Sequence, residues 1–75
     1  TGANLTGANL TGAILISANL TEANLTGANL KSADLRYANF TGANLTAAKM
    51  RRSDLTGTIF CRTIMPDGAI NNTGC

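Results

Sequence analysis

Ala23-Asn24-Leu25-Thr26-Gly27-Ala28-Asn29-Leu30-Lys31-Ser32-Ala33-Asp34-Leu35-Arg36-Tyr37 is one five-residue phrase written three times: Ala, then Asn or Asp, then Leu, then two variable residues. Working outward, the phrase runs almost from end to end. Leu5, Leu10, Leu15, Leu20, Leu25, Leu30, Leu35, Phe40, Leu45, Met50, Leu55, Phe60 and Met65 lie five apart without a break. Two residues ahead of each stands Ala, from Ala3 to Ala48, followed by Ser53, Thr58 and Thr63. A period of five suits neither regular element. On an α-helix a five-residue step turns about 140°, which scatters the Leu column around the circumference. On a straight strand an odd period puts successive Leu residues on opposite faces. The pattern fits a chain that bends once in each unit. Ala and Leu, two apart, then share the inner side of a short extended piece, with Asn facing outward. Thr-Gly supplies the corner, where Gly tolerates positive φ. Bends repeated in one sense produce a coil, and coils stacked about 4.8 Å apart pair their backbones as parallel strands do. The fold expected is an all-β solenoid.

The number of corners per coil follows from longer spacings. Twenty residues apart, Phe40 meets Phe60, Asp34 meets Asp54 and Lys31 meets Arg51; fifteen apart, Asp34 meets Lys49 and Phe40 meets Leu55. The first set is the better match and favours four-sided coils. The inward columns are then Leu5, Leu25, Leu45 and Met65; Leu10, Leu30 and Met50; Leu15, Leu35 and Leu55; and Leu20, Phe40 and Phe60.

Composition agrees and excludes much else. Leu, Ile, Val and Phe make up only 16 of the 75 residues, while Ala, Thr, Asn and Gly dominate. Such a chain either stays unfolded or buries small residues in a very regular arrangement, and the net charge of +2 lacks the excess that accompanies disorder. No apolar run is long enough to span a bilayer. The repeat is under way at Thr1 with no targeting peptide ahead of it, which reads as a mature form or a fragment. The absence of His removes the commonest general base and metal ligand, and two Cys alone do not make a zinc site. No metal and no cofactor is expected.

The units, of which Ala28-Asn29-Leu30-Lys31-Ser32 is one, resemble the A-(D/N)-L-x-x motif of the pentapeptide-repeat family across about thirteen copies in residues 1–65. The resemblance implies a right-handed, four-sided parallel β-helix, here of about three coils over 1–65, with a C-terminal capping tail at 66–75. Ile14, Lys49, Ile59 and Ile64 depart from Asn or Asp, and Ser53, Thr58 and Thr63 depart from Ala. The repeat thus degrades toward its C-terminus, as a solenoid does near a cap.

Pro66-Asp67-Gly68 is a turn signature that ends the rhythm. Beyond it, Cys75 stands as a candidate disulfide partner for Cys61. Bridging them closes a loop of about 15 residues, worth about 3 kcal/mol, and clamps the tail over the strand edge of the last coil. The alternative is two unrelated thiols. The segment from Cys61 onward with its terminal Asn-x-x-Cys also resembles the tail of cyanobacterial and chloroplast members, several of them lumenal. A bridge implies an oxidising compartment, thylakoid lumen or periplasm; without it the cytoplasm is expected.

On the four-sided register Lys31, Lys49, Arg51 and Arg52 fall on one side, a candidate surface for a protein partner. No aromatic residues interleave there for base stacking, so nucleic acid is disfavoured. Asp34 and Asp54 stack near Arg36 and read as an ion-paired group rather than a glycosidase pair or calcium site, since a flat side offers no cleft. The Thr columns Thr1, Thr21, Thr41 and Thr6, Thr26, Thr46 belong to different sides, unlike the paired columns of an ice-binding face. Tyr37 is expected to be exposed, and the first coil to be covered by upstream sequence or a second chain.

The expected function is a non-enzymatic structural or interaction module presenting a rigid solenoid surface. The alternative is the DNA-mimicking, topoisomerase-binding type known in the family. Such members are long, dimeric and acidic, and this chain's positive balance departs from what mimicry requires.

Overall fold

A computed structural model describes residues 2–75 of the chain. Its backbone winds as an all-β solenoid whose parallel bridges all join residues 20 apart, four units along the sequence. Nine are formed among the described residues, including Asn4 with Asn24, Asn29 with Lys49, Asp34 with Asp54 and Asn39 with Ile59. Each bridge is a pair of hydrogen bonds: Leu25 N–H donates to the Asn44 carbonyl at 2.7 Å, and Asn44 N–H to the Ala23 carbonyl at 2.9 Å.

The corners explain the five-residue period. From Ala8 to Thr58 the N–H of the Ala position donates to the carbonyl of the preceding Leu position, as from Ala28 to Leu25 at 2.9 Å, closing a four-residue turn; at the last corner Gly74 N–H takes the Phe60 carbonyl instead. The third residue of that turn has positive φ throughout, the mark of a type II turn. Gly27 meets this demand freely at φ +69°. Ser32, Tyr37 and Arg52 occupy the same conformation at φ 57°, 60° and 60°, at a cost of about 1 kcal/mol each.

Asn has a second task that its outward direction does not reveal. Its side-chain oxygen accepts from the N–H two residues on, and often from that residue's hydroxyl. Asn24 Oδ1 takes Thr26 N–H at 3.1 Å and Thr26 Oγ1 at 2.7 Å, and Asn4, Asn9 and Asn39 do the same. Each acceptor ties the outgoing strand to the start of its corner.

Inside, Leu25, Leu30, Leu35, Phe40 and Leu45 are fully buried, with Ala23, Ala28, Ala33, Ala38 and Ala43 forming the thin layer between them. Phe40 and Phe60 stack with ring centroids 5.6 Å apart and planes 9° from parallel, as the 20-residue spacing requires. Burial fades at both ends: Leu5, Leu10, Leu15, Met50 and Met65 are only partly covered. Leu55, expected inside with its column, is 39% exposed because the chain leaves the repeat after Met65, and Cys75, twenty residues on, is bonded to Cys61 rather than stacked over Leu55. The hydroxyls that replace Ala are satisfied. Thr58 Oγ1 donates to the Leu35 carbonyl at 2.8 Å, and the buried Thr63 Oγ1 to that of Phe40 at 2.7 Å, each using the free lone pair of a turn carbonyl.

At the end of the chain the direction reverses. β1 (Thr63–Ile64) pairs antiparallel with β2 (Ile70–Asn71), Thr63 opposite Asn71 and Ile64 opposite Ile70. The turn at Pro66-Asp67-Gly68 has its own lock, Ala69 N–H to Asp67 Oδ1 at 3.0 Å. Arg62 N–H donates to Asn72 Oδ1 at 2.8 Å and Gly74 N–H to the Phe60 carbonyl at 2.8 Å. A disulfide joins Cys61 to Cys75, whose Cα atoms are 5.0 Å apart.

Candidate interaction surface

The outward residues on either side of one corner carry the largest concentration of positive charge. Lys31 and Arg51 lie one coil apart at stacked corners, and Ser32 N–H donates to the Arg51 carbonyl at 2.9 Å. Lys31, Ser32, Arg51 and Arg52 line a shallow depression of about 200 Å³. Lys49 stands on the strand leading into this corner, its backbone bridged to Asn29, with its side chain exposed. Among the described residues, none of these four cations forms an ion pair.

The acidic group on the next side is self-contained. Arg36 grips Asp34 with two bonds, Nε to Oδ1 and Nη2 to Oδ2, both 2.9 Å, and its Nε lies 4.0 Å from Asp54 Oδ2. The hydrogen bond from Arg36 holds the Asp34 carboxyl below its ordinary pKa, and the same bond raises that of Arg36. Asp54 is lowered first by the hydroxyl of Thr56 and then by the Thr56 N–H. Both carboxylates stay ionised and occupied at neutral pH, which suits an ion-paired surface and leaves neither poised as an acid or base.

A second, wider concavity of about 460 Å³ lies under the tail, lined by residues such as Met65, Pro66, Ile70 and Asn72. Asp67 is its one titratable group, and its carboxylate is engaged in the turn. No cluster of metal-ligating side chains occurs among the described residues, and they include no helix long and apolar enough to cross a membrane. Tyr37 is 59% exposed, but its ring lies over Gly57, where an added Cβ would sit 2.5 Å from it. Sequence reasoning had no signal for that contact beyond the 20-residue spacing. Of the Thr columns, Thr21 with Thr41 and Thr6 with Thr26 and Thr46 lie in the described residues; Thr1 lies outside them.

The repeat profile described as pentapeptide repeats matches in eight copies, over residues 1–31 and 23–62. No curated protein sequence matches the chain. Among solved structures, a pentapeptide repeat protein from the cyanobacterium Cyanothece is similar at 42% identity and a TM-score of 0.64, over 76% of this chain and 43% of the other. HetL from the cyanobacterium Nostoc, a pentapeptide repeat protein involved in heterocyst differentiation regulation, is similar at 33% identity and a TM-score of 0.54, over 93% of this chain and 41% of that one. A thylakoid-lumen pentapeptide repeat protein of Arabidopsis thaliana is similar at 28% identity and a TM-score of 0.57, over 87% and 48% of the two chains. In each case the chain spans less than half the length of its neighbour.

Proposed function

The chain belongs to the pentapeptide-repeat family, and from that premise we propose that it is a non-enzymatic interaction module. In this reading residues 1–65 form a right-handed, four-sided β-helix of about three coils and residues 66–75 form its cap; the bridges between residues 20 apart support it. The scaffold would hold Lys31, Lys49, Arg51 and Arg52 rigidly toward a protein partner. The observation that carries the proposal is that these four cations share one corner region and have no carboxylate partner among the described residues. Unpaired like charges repel one another, so their grouping makes sense against a surface of opposite sign.

The test is capture from a native extract of the source cells on immobilised chain, beside a variant with all four residues changed to Glu. Recovery of a stoichiometric protein by the first and not the second supports the module. Equal recovery by both, or none, overturns it. A DNA-mimicking role gains nothing from a chain of net charge +2, and potent inhibition in a gyrase supercoiling assay would reverse that ranking.

The same reading places the protein in an oxidising compartment, periplasm or thylakoid lumen. The Cys61–Cys75 bond and the lumenal Arabidopsis neighbour support this. Thiol titration of native protein without reductant should find no reactive sulfhydryl; two free thiols would remove both the bond and the compartment.

A further inference from the structure

Beside the basic corner runs a strand edge that nothing in the described residues occupies. One coil earlier, the N–H groups of Leu30, Ser32, Leu35 and Tyr37 donate to the carbonyls of Lys49, Arg51, Asp54 and Thr56 at 2.6, 2.9, 3.0 and 3.0 Å. The residues that repeat those positions are Met50, Arg52, Leu55 and Gly57, and their N–H groups have no acceptor among the described residues. The carbonyls of Ala28 and Ala33 receive the N–H groups of Lys49 and Asp54, both within 3.0 Å, whereas their successors Ala48 and Ser53 receive none. Four donors and two acceptors therefore face out of the solenoid on two successive sides, which meet at the Met50–Ser53 turn. Beneath them Leu55 is 39% exposed and Met50 is half-buried.

We propose that residues 48–58 take up an acidic segment of a partner protein that bends at the same corners and adds its backbone to this edge, with its carboxylates against Lys31, Lys49, Arg51 and Arg52. This rests on the reading of the chain as an interaction module and names the partner's chemistry. The chain itself shows that this edge accepts a further strand, since β2 pairs with its neighbouring part, Thr63 and Ile64. Main-chain hydrogen bonds supply affinity in strand addition, and side-chain complementarity supplies selectivity. Here selectivity comes from charge. Asp34 and Asp54 are committed to Arg36 and Thr56, so they leave the cations unneutralised. An edge with three cations to one carboxylate is net positive and disfavours a second copy of itself while admitting an acidic chain. A nucleic acid would find phosphate contacts but no aromatic platform within the depression.

The probe is a fluorescein-labelled peptide, Ala-Glu-Leu-Glu-Gly-Ala-Asn-Leu-Thr-Gly, whose Glu residues match the cations and whose Leu residues cover Met50 and Leu55. Fluorescence anisotropy should show binding that weakens with salt. Replacing both Glu with Lys, or using the R51E/R52E protein, should weaken it roughly tenfold. Methylating alternate backbone nitrogens of the peptide should weaken it by at least about tenfold on unaltered protein, because strand pairing is then blocked. Equal affinity of the methylated peptide would overturn strand addition, equal affinity of the Lys peptide would overturn charge selection, and no binding at all would overturn the site. Self-association of the chain in sedimentation, lost in R51E/R52E, would assign the edge to a second copy and also overturn it. If the extract capture succeeds while the peptide fails, the module stands and this edge is not its docking site.

Discussion

The last coil ends in two different ways. From Phe60 to Met65 its outer edge is occupied: β2 pairs with β1, Asn72 accepts from Arg62, Gly74 donates to Phe60, and Cys75 is bonded to Cys61. From Ala48 to Thr58 the edge is bare, and Leu55 is exposed above a Leu35 that is fully buried. The same five-residue grammar builds both stretches, so the grammar does not decide whether an edge is closed. A closed edge requires a segment that leaves the repeat, turns and comes back. An open edge requires only that the repeat stop, and charge then guards it.

The widest separation between the two stretches should come from burying a carboxylate. Leu45 is fully buried below the covered edge, and Leu45→Asp should abolish cooperative unfolding, because the charge has no partner there. Leu55→Asp on the bare edge should leave a folded chain weakened by about 1 kcal/mol. Circular dichroism during thermal melting distinguishes them, and equal loss in both would break the contrast. Next in size is the disulfide. Cys75→Ser should cost about 3 kcal/mol in denaturant unfolding and speed hydrogen exchange at Thr63 and Ile64, with residues 49–58 unchanged.

A smaller effect is expected at Gly74, where an added Cβ would lie 2.9 Å from the Phe60 backbone nitrogen. Backbone cannot yield as a side-chain tip does, so Gly74→Ala should destabilise the cap by about 1–3 kcal/mol and increase its exchange. The smallest effect concerns pH and belongs to the Asp34–Arg36–Asp54 group beside the bare edge. Both aspartates have lowered pKa values in the folded chain. Their contribution is therefore complete above the ordinary aspartate range and is lost as pH falls below about 4, through the lowered folded values. Denaturant midpoints should fall slightly on acidification in the native chain and less in Arg36→Leu. A midpoint that rises on acidification would contradict the hydrogen-bonding arrangement.

Much of the fold was legible in the letters. The unbroken column from Leu5 to Met65 marks the inner side, and the match of Phe40 with Phe60 anticipates the stack between their rings. The grouping of Lys31, Arg51 and Arg52 was likewise visible, because residues 20 apart become neighbours. Other features were not. Asn reads as an outward residue, yet where it stands its oxygen locks the corner that follows, a role that depends on the backbone angle two residues later. Thr58 and Thr63 read as decay of the Ala layer, but their hydroxyls reach turn carbonyls 23 residues back. Leu55 reads as core, and only the absence of a following coil above it makes it surface.

By itself the sequence determined the period, the inner and outer sides and the spacing of partners. Each depends on which residue types tolerate a corner or fill a narrow interior, and these are local properties. The tertiary structure alone decided where the tail lands, which edge it closes and which it leaves open. Those outcomes depend on hydrogen-bonding groups brought together from distant units, and a backbone N–H carries no letter to say whether a partner will be opposite it.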